Sequence, residues 1–382
     1  MIAIGMYEEA TRLDPAFAQA WSRLAHAHAW RYQWYFDRSE SRLRQAREAV
    51  TRALALDPHL ADAHYALGRI LVDENEPERA MEEFRDVLRH EPNHAEALYG
   101  LSHAAISQGD WDVGRRYAVQ AMELSPTSAA LACWTGGAHS YAGDYHGAME
   151  HHQTAVKLAP DRACHYFCEV EALLNWDGET RRARAFLERV PAHLDREKSP
   201  ALDYQWILVE MIDGRWDEAL RRIAAGRAAA LQSPWFYMPR TLLAAQVNDL
   251  RVEPDLARAG YEESVSTIEG LLEARPLDAR LHGALGMAYA GLGRRSEAVE
   301  AAQRGIDLLG DGKTDLPYRL RDLAIVHALL GEHTQALATL ERLLELRTGF
   351  FSPAYLRAEP LLRDLERDPR FATLLDRPRE AA

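Results

Sequence analysis

Residues 58–92 read PHLADAHYALGRILVDENEPERAMEEFRDVLRHEP, and this stretch decides the fold. His64, Leu67, Leu71 and Val72 fall on one side of a helix. Asn75, Glu76 and Pro77 interrupt it, and Ala80, Phe84, Val87 and Leu88 mark a second helix. Gly68 and Ala80 stand where the two helices of a hairpin must cross closely, so a bulkier residue there would overpack, at roughly 1–3 kcal/mol. Pro92 closes the unit. It belongs to a series, Pro58, Pro92, Pro126 and Pro160, spaced by 34 residues three times running. A helix-turn-helix unit of that length cannot bury its apolar face alone and must stack on copies of itself.

The same design extends in both directions. Gly109-Asp110-Trp111, Gly143-Asp144-Tyr145, Gly214-Arg215-Trp216 and Gly293-Arg294-Arg295 each end a first helix, where glycine takes the left-handed cap conformation without a side-chain penalty. An alanine follows at the crossing position: Ala148, Ala219, Ala298 and, after Gly331, Ala336. The pattern resembles the tetratricopeptide repeat, in which a large residue, Leu, Gly, an aromatic, Ala, an aromatic, Ala and Pro recur. His64, Leu67, Gly68, Leu71, Ala80, Phe84, Val87 and Pro92 fill those places here. Leu98, Leu101, Gly109, Trp111, Ala118, Ala121 and Pro126 do so next, then Gly136, Gly143, Tyr145, Ala148, Ala155 and Pro160. The resemblance implies an all-α fold, a right-handed superhelical α-solenoid of hairpins with a short C-terminal helical cap.

The solenoid is expected to span residues 1–348 as about eight or nine hairpins. It opens on an unpaired second helix at Ile2–Leu13, as if the stack had been cut or continued upstream. Units are expected at 16–58, 59–92, 93–126, 127–160, 161–191, 199–230, 236–276, 277–310 and 315–348, with an insertion near Asn248–Pro254. The first is stretched, and its extra length carries Trp30, Tyr32, Trp34, Tyr35 and Phe36. Residues 349–382 form the expected cap and tail, broken by Pro353, Pro360 and Pro369, with Phe371, Leu374 and Leu375 covering the last hairpin. The ending and the Asp57-Pro58 opening also resemble repeat regions of bacterial signalling proteins, which accompany cyclase, kinase or DNA-binding modules. No such module is present in these 382 residues.

Composition narrows the function. An apolar share of 47% with 27% charged residues supports a packed, soluble core, and a net charge of −13 gives no electrostatic footprint for nucleic acid. No apolar run is long enough to span a membrane, and the N-terminus lacks the layout of a signal peptide. Cysteines number three, which fits a reducing compartment, so a cytoplasmic location is expected.

Phosphate-loop, metalloprotease, nucleophile-elbow and C-x-x-C motifs are absent. Cys164 and Cys168 stand one helical turn apart beside His165, a spacing read as thiols packed on a neighbouring helix. No catalytic residue, cofactor or metal is expected. In the family resembled, the first helix of each unit lines the inside of the superhelix and its non-core residues contact the ligand. By matching positions, that concave face carries Trp30, Asp62, Tyr65, Arg69, Glu96, Tyr99, His103, Tyr141, Trp176, Tyr204, Arg280, Tyr318 and Arg321. The expected function is a non-catalytic scaffold or regulatory module for a protein or extended peptide; the alternative is a small-ligand sensor. Trp30, Trp34, Tyr35 and Phe36 are the candidates for self-association.

Overall fold

Each expected proline lies two residues beyond the end of a helix, where its missing amide hydrogen costs nothing. A computed structural model describes residues 2–33, 37–191, 194, 199–310 and 312–376. Among them, nine helix pairs follow a lone first helix, and the chain is an all-α solenoid. The contacts divide it into two units, Met1–Leu131 with Asp311–Thr314, and Ala132–Gly310 with Asp315–Ala382. The division falls within a helix, between Leu131 and Ala132.

The first unit contains α1 (Ile2–Leu13), α2 (Ala18–Gln33), α3 (Glu40–Leu56), α4 (Ala61–Asp73), α5 (Pro77–His90), α6 (Ala95–Gln108) and α7 (Trp111–Leu124). Helices α2, α4 and α6 pack side by side, each with its own partner behind it. The turn between α4 and α5 places Asn75 at a φ of 61°, the role that Gly109 takes one repeat later at 84°. Glycine at that turn is free of the strain a side chain would bring. Phe84 is fully buried, and its ring sits in a slot walled by two glycines. A methyl group on Gly68 would lie 2.6 Å from the ring, and one on Gly100 2.5 Å. Around it close Tyr65, Leu71, Met81, Val87, Leu98 and Leu101. The repeat pattern marked Gly68 as a close crossing; the matching role of Gly100, one hairpin on, is a second wall of the same slot.

The second unit holds α8 (Ala129–Tyr141, entering at Ala132), α9 (Tyr145–Leu158), α10 (Ala163–Asp177), α11 (Thr180–Leu187), α12 (Pro200–Ile212) and α13 (Trp216–Ala225). Then come α14 (Arg240–Leu250), α15 (Pro254–Ala274), α16 (Ala279–Gly291), α17 (Arg295–Asp307), α18 (Leu316–Leu329) and α19 (His333–Glu345). Between α13 and α14 runs one departure from helix, β1 (Ala230–Gln232) paired antiparallel with β2 (Tyr237–Pro239), Leu231 opposite Met238. The insertion expected near Asn248–Pro254 is a tight turn with Val252 at a φ of 62°, and the surplus residues lengthen α15 to 21 residues instead.

After α19 the chain does more than cover the last hairpin. It runs through α20 (Pro353–Ala358), a 3-10 turn (Pro360–Arg367) and α21 (Pro369–Leu375). Arg370 in α21 reaches Thr334 of α19. The preceding residues instead lie against α8, α9 and α10: the Gly349 amide donates to the Tyr141 carbonyl at 2.8 Å, and the Tyr145 hydroxyl donates to the Gly349 carbonyl at 2.5 Å. The Ser352 amide donates to Asn175 Oδ1 at 3.1 Å and its hydroxyl to the Asn175 carbonyl at 2.5 Å. A side chain on Gly349 would overlap the Ser140 carbonyl oxygen, so only glycine passes there.

Candidate functional site

The expected binding residues separate by unit. In the first, Tyr65 and Arg69 are one turn apart on α4, with Tyr99 and His103 one turn apart on α6 and His26 on α2. The structure brings these five together. Arg69 is only 5% exposed, donates from one terminal nitrogen to the Tyr65 hydroxyl at 3.1 Å, and lies over the Tyr99 ring at 5.2 Å. The His26 and Tyr65 rings meet edge to face at 5.5 Å, and Gln33 Nε2 stands 2.9 Å from a ring nitrogen of His103. No carboxylate stands within ion-pair distance of Arg69 among the described residues. An arginine side chain stays charged in any protein environment, so this wall carries a buried cation eased by a phenol, an aromatic face and the field of the Asp73 carboxylate one turn along α4. Burial first, and then the field of Arg69, pull His26 down to about 4 and His103 to about 3. Both rings are therefore neutral near pH 7 and leave Arg69 as the charged member of the group.

Other expected residues of this unit stand apart. Asp62 pairs with Arg23 at 3.0 Å, Glu96 points outward 3.6 Å from His94, and Trp30 is 44% exposed. Trp34, Tyr35 and Phe36 lie outside the described residues.

In the second unit the expected face is occupied by the chain itself. Tyr141, Tyr204, Arg280, Tyr318 and Arg321 are all buried, which differs from the open face the repeat positions implied. Tyr141 packs on Phe350 at 4.5 Å and Tyr204 on Phe236 at 4.3 Å. Tyr318 stacks on Trp235 at 6.1 Å and donates to Glu171 at 2.9 Å. Arg280 forks onto Asp278 and donates to the Ser233 carbonyl at 2.6 Å. Arg321 holds Glu359 through two nitrogens, at 3.1 and 2.7 Å. Two segments thus fill this wall, the 230–239 hairpin and the residues after 348. Trp176 remains 37% exposed, with Arg182 4.4 Å above its ring.

The same unit holds charge in its interior. Burial pushes the Glu171 carboxyl up to about 7, with the Tyr318 hydroxyl pulling the other way. Its folded value lies above the ordinary 4.5, so its contribution to stability is full below 4.5 and is lost as pH rises through about 7. Glu171→Gln is accordingly expected to flatten the fall in Tm between about pH 4.5 and 7. Parallel Tm curves for variant and parent would count against this burial.

The sulfur atoms of Cys133 (α8) and Cys168 (α10) lie 3.8 Å apart, and a ring nitrogen of His152 (α9) completes a group whose donor atoms all lie within 4.8 Å of one another. Cys164, one turn from Cys168, is exposed, so the two thiols read as a packed pair differ in surroundings. The hydrogen bond shared with Cys168, helped by another to His152, holds the Cys133 thiol well below its usual range. This grouping escaped the sequence reading because its three members come from three helices.

Residues 38–85 and 65–129 match models of the tetratricopeptide repeat, and residues 217–324 match a bacterial transcriptional activator domain. Anaphase-promoting complex subunit 3 of Schizosaccharomyces pombe is 25% identical over 166 residues, 44% of this chain and 24% of that protein. Protein bimA of Emericella nidulans is 29% identical over 89 residues, 23% of this chain and 11% of that protein. The chain thus spans a quarter or less of the curated relatives it matches. Among solved structures, the APC/C hetero-tetramer Cut9–Hcn1 aligns over 94% of this chain and 58% of that one, at 15% identity and a TM-score of 0.49. No described helix is long and apolar enough to cross a membrane.

Proposed function

With tetratricopeptide repeats as the premise for residues 38–129, we propose that the chain is a non-catalytic scaffold or regulatory module that binds a protein or extended peptide through the wall formed by α2, α4 and α6. The observation that carries this reading is Arg69, a buried guanidinium without a direct ion pair among the described residues, set among Tyr65, Tyr99, two neutral histidines and the more distant charge of Asp73. Asp73 acts on Arg69 only through its field, and a carboxylate from a bound segment, an Asp or Glu side chain or a free C-terminus, would supply a direct ion-pair partner that guanidinium geometry favours. Tyr65 and Tyr99 are the residue types that anchor such interfaces. A cytoplasmic, signalling setting is consistent with the match to a bacterial transcriptional activator domain.

The second unit offers a partial parallel: its helices hold a turn of their own chain through the main-chain amides of Gly349 and Ser352. A small-ligand role has less support. The cavity lined by Glu171, Tyr204, Arg319 and Asp322 is narrowed by Phe351 and Tyr355 of that stretch.

The test is selection of extended peptides on the full chain, followed by binding of the selected sequences to variants. Selected peptides are expected to carry a carboxylate. Arg69→Ala should weaken them roughly thirtyfold or more, the scale of removing one partner of a buried charge pair, with Arg69→Lys in between because it keeps charge without the fork. Peptides lacking any carboxylate, bound equally by parent and Arg69→Ala, would overturn the reading.

A further inference from the structure

We propose that Cys133, His152 and Cys168 form a binding site for a soft d10 cation, Zn2+ in the first instance, inside the second unit. The three donors converge from three consecutive helices, with the sulfurs 3.8 Å apart. That separation is far from a disulfide, at about 2.05 Å. It matches the edge of a tetrahedron whose corners lie about 2.3 Å from a central zinc, which is about 3.8 Å.

The imidazole is built in as a ligand would be. His152 is 1% exposed, and its Nδ1 has no hydrogen-bond partner among the described residues. Its ring fits because residue 136, one turn after Cys133, is glycine: a methyl group there would lie 2.5 Å from Nδ1 and Cε1. Buried imidazoles ordinarily spend both nitrogens on partners, and metal ligation uses the lone pair of a ring nitrogen that carries no proton. His165 stands one turn before Cys168 on the same face of α10, is 4% exposed, and likewise has an Nδ1 without a partner among the described residues. A buried imidazole that meets the Cys133 thiol and keeps a second nitrogen unpartnered is an arrangement that packing alone does not reward.

Charge balances. Zn2+ displaces one proton from each thiol to solvent, and the two thiolates with a neutral imidazole leave a site of zero net charge, which the half-buried surroundings tolerate. Thiolate and imidazole together select zinc or copper(I) over hard cations such as Mg2+ or Ca2+. The site ties α8, α9 and α10 together, next to the wall that receives Gly349 and Ser352.

The experiment uses the full chain, stripped with a chelator under reducing conditions and titrated with Zn2+, then with Co2+ as the spectroscopic probe. One ion per chain is expected, and the Co2+ form should show thiolate-to-metal charge transfer and the strong visible bands of tetrahedral cobalt. Cys133→Ser and His152→Ala should abolish these bands, while Cys164→Ser should leave them unchanged. Because either core variant can also disturb folding, alkylation of the unmodified chain gives a second reading. Zn2+ should protect Cys133 and Cys168 and leave the exposed Cys164 reactive. Substoichiometric zinc, octahedral cobalt spectra, or alkylation of Cys133 and Cys168 unaltered by Zn2+ would overturn the site.

Discussion

Phe84→Ala is expected to destabilise the first unit by about 3–5 kcal/mol, the range for truncating a fully buried aromatic side chain. The size follows from the slot. The ring is held between the backbones of α4 and α6, and the two positions that face it most closely, Gly68 and Gly100, have no side chain to swing into the void. Tyr65, whose ring lies 5.8 Å away, would lose its support and with it the seat of Arg69. The opposite insult should also register: Gly100→Ala places a methyl 2.5 Å from the ring and is expected to cost roughly 1–3 kcal/mol. Urea unfolding followed by circular dichroism measures both. Recombining them tests the shared cause, because Phe84→Leu in the Gly100→Ala background relieves the clash and should cost less than the sum. Additive effects, or a Phe84→Ala midpoint within error of the parent, would show that the slot does not hold the unit together.

That slot was half legible in the sequence. The 34-residue spacing, the turn glycines and the close crossing at Gly68 are local facts, each set within one hairpin, and they recover helix pairs along nearly the whole chain. The pairing of α2, α4 and α6, and with it the meeting of Tyr65, Arg69 and Tyr99, follows from stacking one unit on the next. What faces the first helices of the second unit was not legible. Tyr318 meets Glu171 across 147 positions and Ser352 meets Asn175 across 177, and no repeat pattern encodes partners so far apart. One signal was present. Helix α18 is apolar on nearly every side yet contains Arg319, Arg321 and Asp322, and a helix of that kind is buried, so its charges must find countercharges. The β-hairpin escaped because strands of three residues are shorter than any alternation can reveal.

Glu359→Ala is expected to cost the second unit about 3–5 kcal/mol, because it leaves the Arg321 guanidinium buried without its main partner. Glu359 is 2% exposed, accepts from two nitrogens of Arg321, and also lies 3.4 Å from the Tyr355 hydroxyl. Asp322 cannot replace it: its contact with Arg321 is longer, 3.4 Å, and its other oxygen already binds Arg319 at 3.0 Å. The loss should be directional. Arg321 sits on α18, whereas Glu359 joins α20 to the 3-10 turn, so the residues after 348 are the part released. Amide exchange at Ser352 and Tyr355 should rise well before exchange within α18. A paired replacement, Arg321→Met with Glu359→Leu, should recover much of the stability, since apolar groups of similar volume often replace a buried ion pair without penalty. Removing Gly349's freedom by Gly349→Ala attacks the same segment from its other end, where the Ser140 carbonyl leaves no room for a side chain. If Glu359→Ala melts with the parent and exchange at Ser352 stays slow, the ion pair is not what seats this segment. The main-chain bonds to Tyr141 and Asn175 would then carry it alone.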